Sequence, residues 1–171
     1  MMKFSVLISV YKNDNHIFFD KALKSIHNEQ DLKPNQIVII KDGPLNLKLE
    51  NVLENFSESC KCRLDIISLT KNVGLGNALN IGLEKCVHEI IARMDSDDIS
   101  KPNRFKVQLD FIKNNPNIDV VSSFVDEFEG EVENVISTKS LPDDHSKCIN
   151  RLKYGSPFNH PVTVFKKSKV I

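Results

Sequence analysis

Tryptophan is absent from these 171 residues, and neither sign of charge is in excess: Lys plus Arg total 23, as do Asp plus Glu. Without a basic field the chain cannot hold a nucleic-acid backbone, and without an acidic surplus it has no polyanionic tail. Any anion it binds must be held locally. Long apolar runs are missing too: "MMKFSVLISVYKND" is too short to cross a bilayer and lacks a small-residue cleavage site. It reads as a strand, which implies that the mature chain starts here and stays in the cytoplasm. Among the cysteines there is no CxxC pair and no His at zinc-finger spacing; Cys60 and Cys62 are one residue apart, and Cys86 and Cys148 stand alone. Ordinary thiols in a reducing compartment are expected.

What is present suits one globular domain over 1–171, with 40% hydrophobic and 27% charged residues. Short Ile- and Val-rich segments, "FSVLISV", "QIVIIK", "RLDIISL", "EIIARM" and "IDVVSSFV", read as buried strands. Between them "HIFFDKALKSIHNEQ", "LNLKLENVLENF", "GLGNALNIGLEKCV" and "NRFKVQLDFIKNN" are long enough for helices. Ile17, Ala22, Leu23 and Ile26 share one stripe of the first helix; Phe105, Leu109 and Ile112 share one in the last. Strict alternation predicts an α/β fold: a mostly parallel central sheet, right-handed crossovers and helices on both faces. Ligands of such folds bind at the carboxyl ends of the strands. Those ends are Tyr11 to Asn15, Lys41 to Pro44, Thr70 to Gly76 and Asp95 to Ser100. After Val121 the pattern loosens into a hairpin with Gly130 at its turn, a short helix near His145 to Tyr154 and a strand "VTVFKK".

Two motifs carry chemistry. In "IIARMDSDDIS" three carboxylates, Asp95, Asp97 and Asp98, follow a strand, and like charges so close raise one another's pKa. A hard divalent cation, Mg²⁺ or Mn²⁺, relieves the conflict, because it takes one or two carboxylates plus phosphate oxygens. Alternation along an extended chain places Asp95 and Asp97 on the same side, with the small Ser96 between. The alternative is that Asp98 or Ser100 caps a helix starting near Pro102 while the other aspartates are solvated. "NVGLGNALNIGL" follows a strand and opens a helix, a context that holds anions. It lacks the third glycine of a dinucleotide fingerprint, where Leu79 stands, and follows the third strand rather than the first; no Gly-Lys-Ser/Thr makes it a P-loop.

In this order and spacing, "SVLISVY", "IVIIKDGP", "NVGLGNALNIGL" and "ARMDSDDIS" followed by Pro102 and Arg104, with "FNHPVTVFKKS" behind them, resemble a family-2 glycosyltransferase of the GT-A fold. The similar enzymes are those of bacterial capsule, exopolysaccharide and O-antigen assembly. The resemblance covers essentially the whole chain. It implies a nucleotide-binding half, 1–100, ending in a DxD motif, and the start of an acceptor-side half, 101–171, whose carboxy-terminal part lies outside this chain. The donor, a UDP-sugar, would be cradled by Val10, Tyr11, Asp42, Asn72, Gly74, Asn77, Arg93, Asp95 and Ser96. Tyr11 would pack on uracil and Asp42 pair with it; Lys41 replaces an Asp common in the family. Asn72, Gly74 and Asn77 would line the pocket and orient the carboxylates. Asp95 would face ribose or metal, Asp97 would hold the Mn²⁺ or Mg²⁺ that bridges the two phosphates, and Asp98 would be a further ligand of that ion.

The implied reaction is inverting transfer of the sugar to a saccharide or lipid-linked acceptor, which brings peripheral contact with a membrane but no nucleic-acid partner. A cation stabilises charge on the diphosphate leaving group, while a base takes the acceptor proton. That base is expected beyond Ile171; inside the chain Asp144, which otherwise caps a helix, and His160 are the candidates. Two rival expectations are a non-catalytic nucleotide-sugar-binding fragment and an NAD-dependent oxidoreductase. The second would need its glycine loop where "YKNDNH" stands.

Overall fold

The computed structural model describes residues 2–170. Its main sheet has the order β3-β2-β1-β4-β8-β5, and a separate ribbon pairs β6 with β7. Strands β1 (Phe4–Val10), β2 (Gln36–Lys41), β3 (Arg63–Ser68) and β4 (Ile90–Met94) run parallel. β8 (Val164–Lys166) lies antiparallel between β4 and β5 (Val120–Val121). The chain steps outward from β1 to β2 and β3, then returns to lay β4 on the other side of β1. Strand order therefore reverses at β1, and the crevice between the ends of β1 and β4 is where an open α/β sheet receives its ligand.

Period-two alternation decides the faces. Phe4, Val6, Ile8 and Val10 join α1 (His16–Ile26), α2 (Leu47–Ser59) and α4 (Arg104–Asn114) in one core. Leu7, Val38, Ile40 and Ile91 pack on the opposite face against α3 (Leu75–Lys85). Each fully buried Ile, Leu or Phe contributes about 1.5–3 kcal/mol, so these strands hold their register firmly. On α3 the contact is close enough that a Cβ on Gly82 would fall 2.5 Å from Leu7 Cδ1. Asn15 and Asn46 start α1 and α2, each side chain accepting a backbone N–H, from Ile17 and Leu49.

Several expectations change. Ile17 is 54% exposed, and Phe19 takes its place in the stripe with Ala22, Leu23 and Ile26. Neither Asp98 nor Ser100 caps α4: Asn103 holds the cap position without a side-chain bond. Ser100 is instead buried, its N–H donating to Ser25 Oγ at 3.0 Å and its Oγ accepting from Gln30 Nε2 at 3.1 Å. The single strand expected over "IDVVSSFV" is split into β5 and β6 (Val125–Phe128). Its two serines explain the break, because Ser122 Oγ donates to the Asn159 carbonyl and Ser123 receives Gln108 and Asn159 side-chain N–H groups. These bonds lead the chain out of the sheet. Beyond them β6 pairs with β7 (Val135–Lys139) around Gly130, which has φ +73. α5 (His145–Arg151) follows, with no buried residue. Phe124, Phe128, Ile136, Leu152 and Tyr154 are all exposed in this last third.

Candidate functional site

Asp42 directly follows β2 as a buried carboxylate. Its Oδ1 accepts the Val73 N–H at 2.7 Å, and its Oδ2 accepts the Gly74 N–H at 3.1 Å and Asn72 Nδ2 at 3.0 Å. Three donors fix the glycine loop to the end of β2 and leave roughly one of the four lone-pair positions free. The loop sits so close that Gly43, at φ +88, could not carry a Cβ, which would lie 2.8 Å from Asn72 N. Gly74, at φ +85, turns directly into α3 with no side-chain cap, so the first amides of that helix are left for another acceptor. Asn77 donates back to the Val73 carbonyl at 2.9 Å. Asn72 thus orients Asp42, and among the described residues no hydrogen bond joins Asn72 or Asn77 to the aspartates after β4. Lys41 is paired with Glu50 at 2.6 Å.

The end of β4 is built differently. The strand stops at Met94 and the chain turns at Ser96 and Asp97, so the relation of Asp95 to Asp97 is set by a turn rather than by extended alternation. Asp97 faces solvent, while Asp95 and Asp98 are half-buried. Asp95 accepts from Arg93 Nη2. Arg93 is 3% exposed and its Nε has no partner, a buried donor left unmet. Arg104, also buried, donates to the Arg93 carbonyl at 2.7 Å and lies over the Phe105 ring. Burial, then the neighbouring Arg93, push it down to about 9. Two guanidinium groups under the turn therefore offset part of the aspartates' charge.

They do not offset all of it. Burial, then Asp95 and Asp97, raise Asp98 to about 6. A fourth carboxylate joins the group: Asp14, from the loop after β1, accepts Ser96 Oγ at 2.7 Å and the Tyr11 N–H at 3.1 Å. It too is raised, by burial first, with Asp97 and Asp95 adding to the effect. Sequence reasoning pointed to the Tyr11 to Asn15 loop but missed Asp14 itself. Its signal was an acidic residue at the carboxyl edge of the strand beside β4. Among the described residues, no three carboxylates bring an oxygen each within 4.8 Å of one another. A preformed three-aspartate cage is thus absent. The all-oxygen set fits a hard cation held by one or two carboxylates and completed by ligand oxygens. The unmet charge at Asp98 supports that fit.

Val10 is buried beneath this crevice, its carbonyl accepting the Asp42 N–H at 2.8 Å, and Tyr11 is 39% exposed at the rim. His160 opens a 3-10 turn, His160–Val162, and lines a cleft of about 640 Å³ together with Asp98, Phe128, Leu141 and Phe158. Its imidazole is lowered by burial and by Arg93, while Asp95 opposes. Asp144 lies elsewhere, at the start of α5: it accepts the Lys147 N–H at 2.8 Å, and this bond holds its carboxyl below the usual range. That is the capping role. The glycine loop follows β3, next to the sheet edge, and "YKNDNH" after β1 has no glycine, so the dinucleotide geometry is missing.

Comparison with known proteins agrees with this geometry. The chain is 38% identical over 169 residues to the UDP-Gal:alpha-D-GlcNAc-diphosphoundecaprenol beta-1,3-galactosyltransferase of Escherichia coli, covering 99% of this chain and 60% of that protein. It thus spans about three-fifths of that relative's length. S. aureus TarS 1-349 in complex with UDP superposes with a TM-score of 0.69 at 22% identity, over 98% of this chain and 47% of that one. The mannosyltransferase PcManGT of Pyrobaculum calidifontis, solved with GDP-Man and Mn²⁺, gives 0.67 at 17% identity, over 96% and 44%. Both likenesses establish the GT-A fold. Residues 5–170 match the description Glycosyl transferase family 2, and with carboxylates gathered where that fold receives its ligand, the chain belongs to that family.

Proposed function

We propose that this chain is the donor-binding part of a glycosyltransferase that moves a sugar from a nucleotide diphosphate, UDP foremost, onto a saccharide or lipid-linked acceptor of a bacterial surface polysaccharide. Residues 1–100 serve the nucleotide and 101–171 begin the acceptor side. The observation that carries the reading is the convergence of Asp14, Asp95, Asp97 and Asp98 at the β1/β4 crevice, with Asp98 raised to about 6 by burial and then by Asp95 and Asp97. The galactosyltransferase relative acts with UDP-Gal on a diphosphoundecaprenol-linked sugar, and TarS is solved with UDP.

In this reading Asp97, the most exposed of the β4 aspartates, and Asp95 meet Mn²⁺ or Mg²⁺, which as a Lewis acid stabilises the charge that grows on the departing diphosphate. Tyr11 stacks on the base, and Asp42 holds the loop that shapes the nucleotide pocket, its remaining lone pair available to the base. Arg93, Asp95 and Ser96 face the ribose side. His160 borders the acceptor cleft and steers the acceptor hydroxyl. The base that takes the acceptor proton comes from beyond residue 171, since Asp144 is committed to its helix. For these 171 residues alone that leaves nucleotide-sugar binding with little turnover. No helix among the described residues is long and apolar enough to cross a membrane; the proposed contact with a lipid-linked acceptor is peripheral, on the cytoplasmic side.

Titration calorimetry with UDP tests this reading. Binding is expected with Mn²⁺ present, weakened at least about 10-fold by EDTA or by Asp97→Asn, with NADH giving no heat. Metal-independent UDP binding that survives Asp97→Asn would overturn the assignment, and efficient sugar transfer abolished by Asp144→Asn would overturn the placement of the base.

A further inference from the structure

At the opposite end of the sheet from the aspartates, three side chains meet that no part of this chemistry uses. His27 is the residue that ends α1, Cys60 ends α2, and Cys62 immediately precedes β3. One ligand atom from each falls within 4.8 Å of the others, the only such group of three metal-binding side chains among the described residues. The two sulfurs are 3.6 Å apart. That separation is far from a covalent S–S bond of about 2.0 Å. It is close to the ~3.8 Å that two thiolates take when each lies about 2.3 Å from one tetrahedral zinc ion.

The imidazole is prepared for the same task. Its Nε2 accepts the Lys61 backbone N–H at 3.3 Å, so that nitrogen is unprotonated and turned toward the Cys60–Cys62 loop. The proton therefore sits on Nδ1, which donates to Asn28 Oδ1 at 2.6 Å. A second hydrogen bond at the far ring nitrogen is the usual support of a metal-ligating histidine. The ring is 6% exposed and its plane is held edge-on against Phe56 at 5.8 Å. Lys61 is exposed, so its N–H can turn to water when an ion takes the lone pair. Two helices direct their carboxyl ends here, and the negative end of each helix dipole favours a cation.

We propose that His27, Cys60 and Cys62 form a site for a borderline-soft divalent cation of the zinc type, with water in the fourth position, which ties the ends of α1 and α2 to the start of β3. Two thiolates and an imidazole discriminate against Mg²⁺ and Mn²⁺, so this site and the aspartates select different ions. It lies about 20 Å from the nucleotide crevice, the length of a six-residue strand. Its role is structural.

Cobalt(II) titration of the reduced full chain tests it, because thiolate-to-cobalt charge-transfer absorption reports sulfur ligands and is silent for carboxylates. One equivalent should produce that absorption together with the visible bands of tetrahedral cobalt, zinc should displace it, and the thermal midpoint should rise. Cys62→Ser should abolish the charge-transfer signal, and Asn28→Ala, which leaves all three ligands in place, should weaken binding about 10-fold. Asp97→Asn should leave the signal intact. Cobalt binding without charge transfer, a signal indifferent to Cys62→Ser, or recovery of Cys60 and Cys62 as a disulfide from protein kept in thiol-free buffer with zinc would each overturn the proposal.

Discussion

Asp42 and the aspartates after β4 stand at the same edge of the same sheet, yet they are opposites. Asp42 is buried and takes three hydrogen bonds from the glycine loop. Asp98 is only half-buried, accepts none among the described residues, and is raised to about 6. A satisfied carboxylate is architecture, because its charge is consumed in holding backbone donors. An unsatisfied group of them is, in the proposed reading, a site whose partner comes from outside the chain.

The contrast is broken most sharply at Asp42. Asp42→Ala leaves the Val73 and Gly74 amides and the Asn72 side chain without their acceptor, and losing several charge-assisted bonds costs about 3 kcal/mol or more. Urea unfolding should show the midpoint falling at unchanged m-value. UDP binding should weaken as well, because the loop that shapes its pocket is released. A variant as stable as the parent would mean the three bonds are replaced by water at no cost, and the architectural role would be lost.

Gly43→Ala comes next. The substitution places a side chain at φ +88 with its Cβ 2.8 Å from Asn72 N. The strained backbone and the displaced loop together should cost about 2 kcal/mol, read by the same unfolding measurement. Gly74→Ala at φ +85 meets nothing within 4 Å, so it carries the backbone cost alone and should be the milder of the two.

At Asp98 the sign reverses. Its folded pKa of about 6 lies above the ordinary 3.8, so between those values the folded state binds more protons than the unfolded one. The stability it contributes is fully present below about pH 4 and is lost as pH rises through about 6. Asp98→Asn should therefore stabilise the protein at pH 7, by on the order of 1 kcal/mol once solvent screening of a half-exposed group is allowed for. It should also flatten that pH dependence. Mn²⁺ with UDP should flatten it in the parent protein too, by supplying the charge that Asp98 lacks. If Asp98→Asn destabilises at neutral pH, the group is satisfied after all and the contrast with Asp42 disappears.

The two ends of the sheet also differ in how far the amino-acid sequence announces them. Strands β1, β2 and β4 follow from Ile and Val runs because both of their faces are buried, and a strand covered on both sides leaves an apolar run that nothing else explains; β3, at the sheet edge, has no buried residue. The aspartates are visible because three carboxylates in a short stretch are costly without a partner. Asp14 is harder to see: it is an acid in a polar loop and gains meaning only when β4 is laid beside β1. Arg93, a basic residue inside an apolar run, is reached from the family resemblance, and its pairing with Asp95 only from the structure. His27 and Lys61, 34 residues apart, likewise meet only through the packing of α1 on α2. In the last third the signal fails for a different reason: β7 is exposed along its whole length. A strand with no buried face imposes no alternation, and Ser122 and Ser123 break the preceding strand through bonds to distant side chains.

The smallest effect belongs to Asp144, and it completes the contrast from outside the crevice. Like Asp42 it is a satisfied carboxylate, accepting the Lys147 N–H and pairing with the Lys147 ammonium at 3.1 Å. Unlike Asp42 it is exposed, so water can take over each bond that a substitution removes. Asp144→Ala should lower the thermal midpoint only slightly, through the loss of one helix cap, and should leave Mn²⁺-dependent UDP binding unchanged in calorimetry. Its carboxyl is held below the ordinary 3.8 by the Lys147 backbone bond, so what little it adds to stability is present at neutral pH and disappears under acid, the reverse of Asp98. A carboxylate meant to take a proton from an acceptor hydroxyl works best with its pKa raised toward the operating pH. The downward displacement at Asp144 marks a group suited to holding a helix, and measurable loss of nucleotide binding in Asp144→Ala would show that α5 reaches the crevice after all.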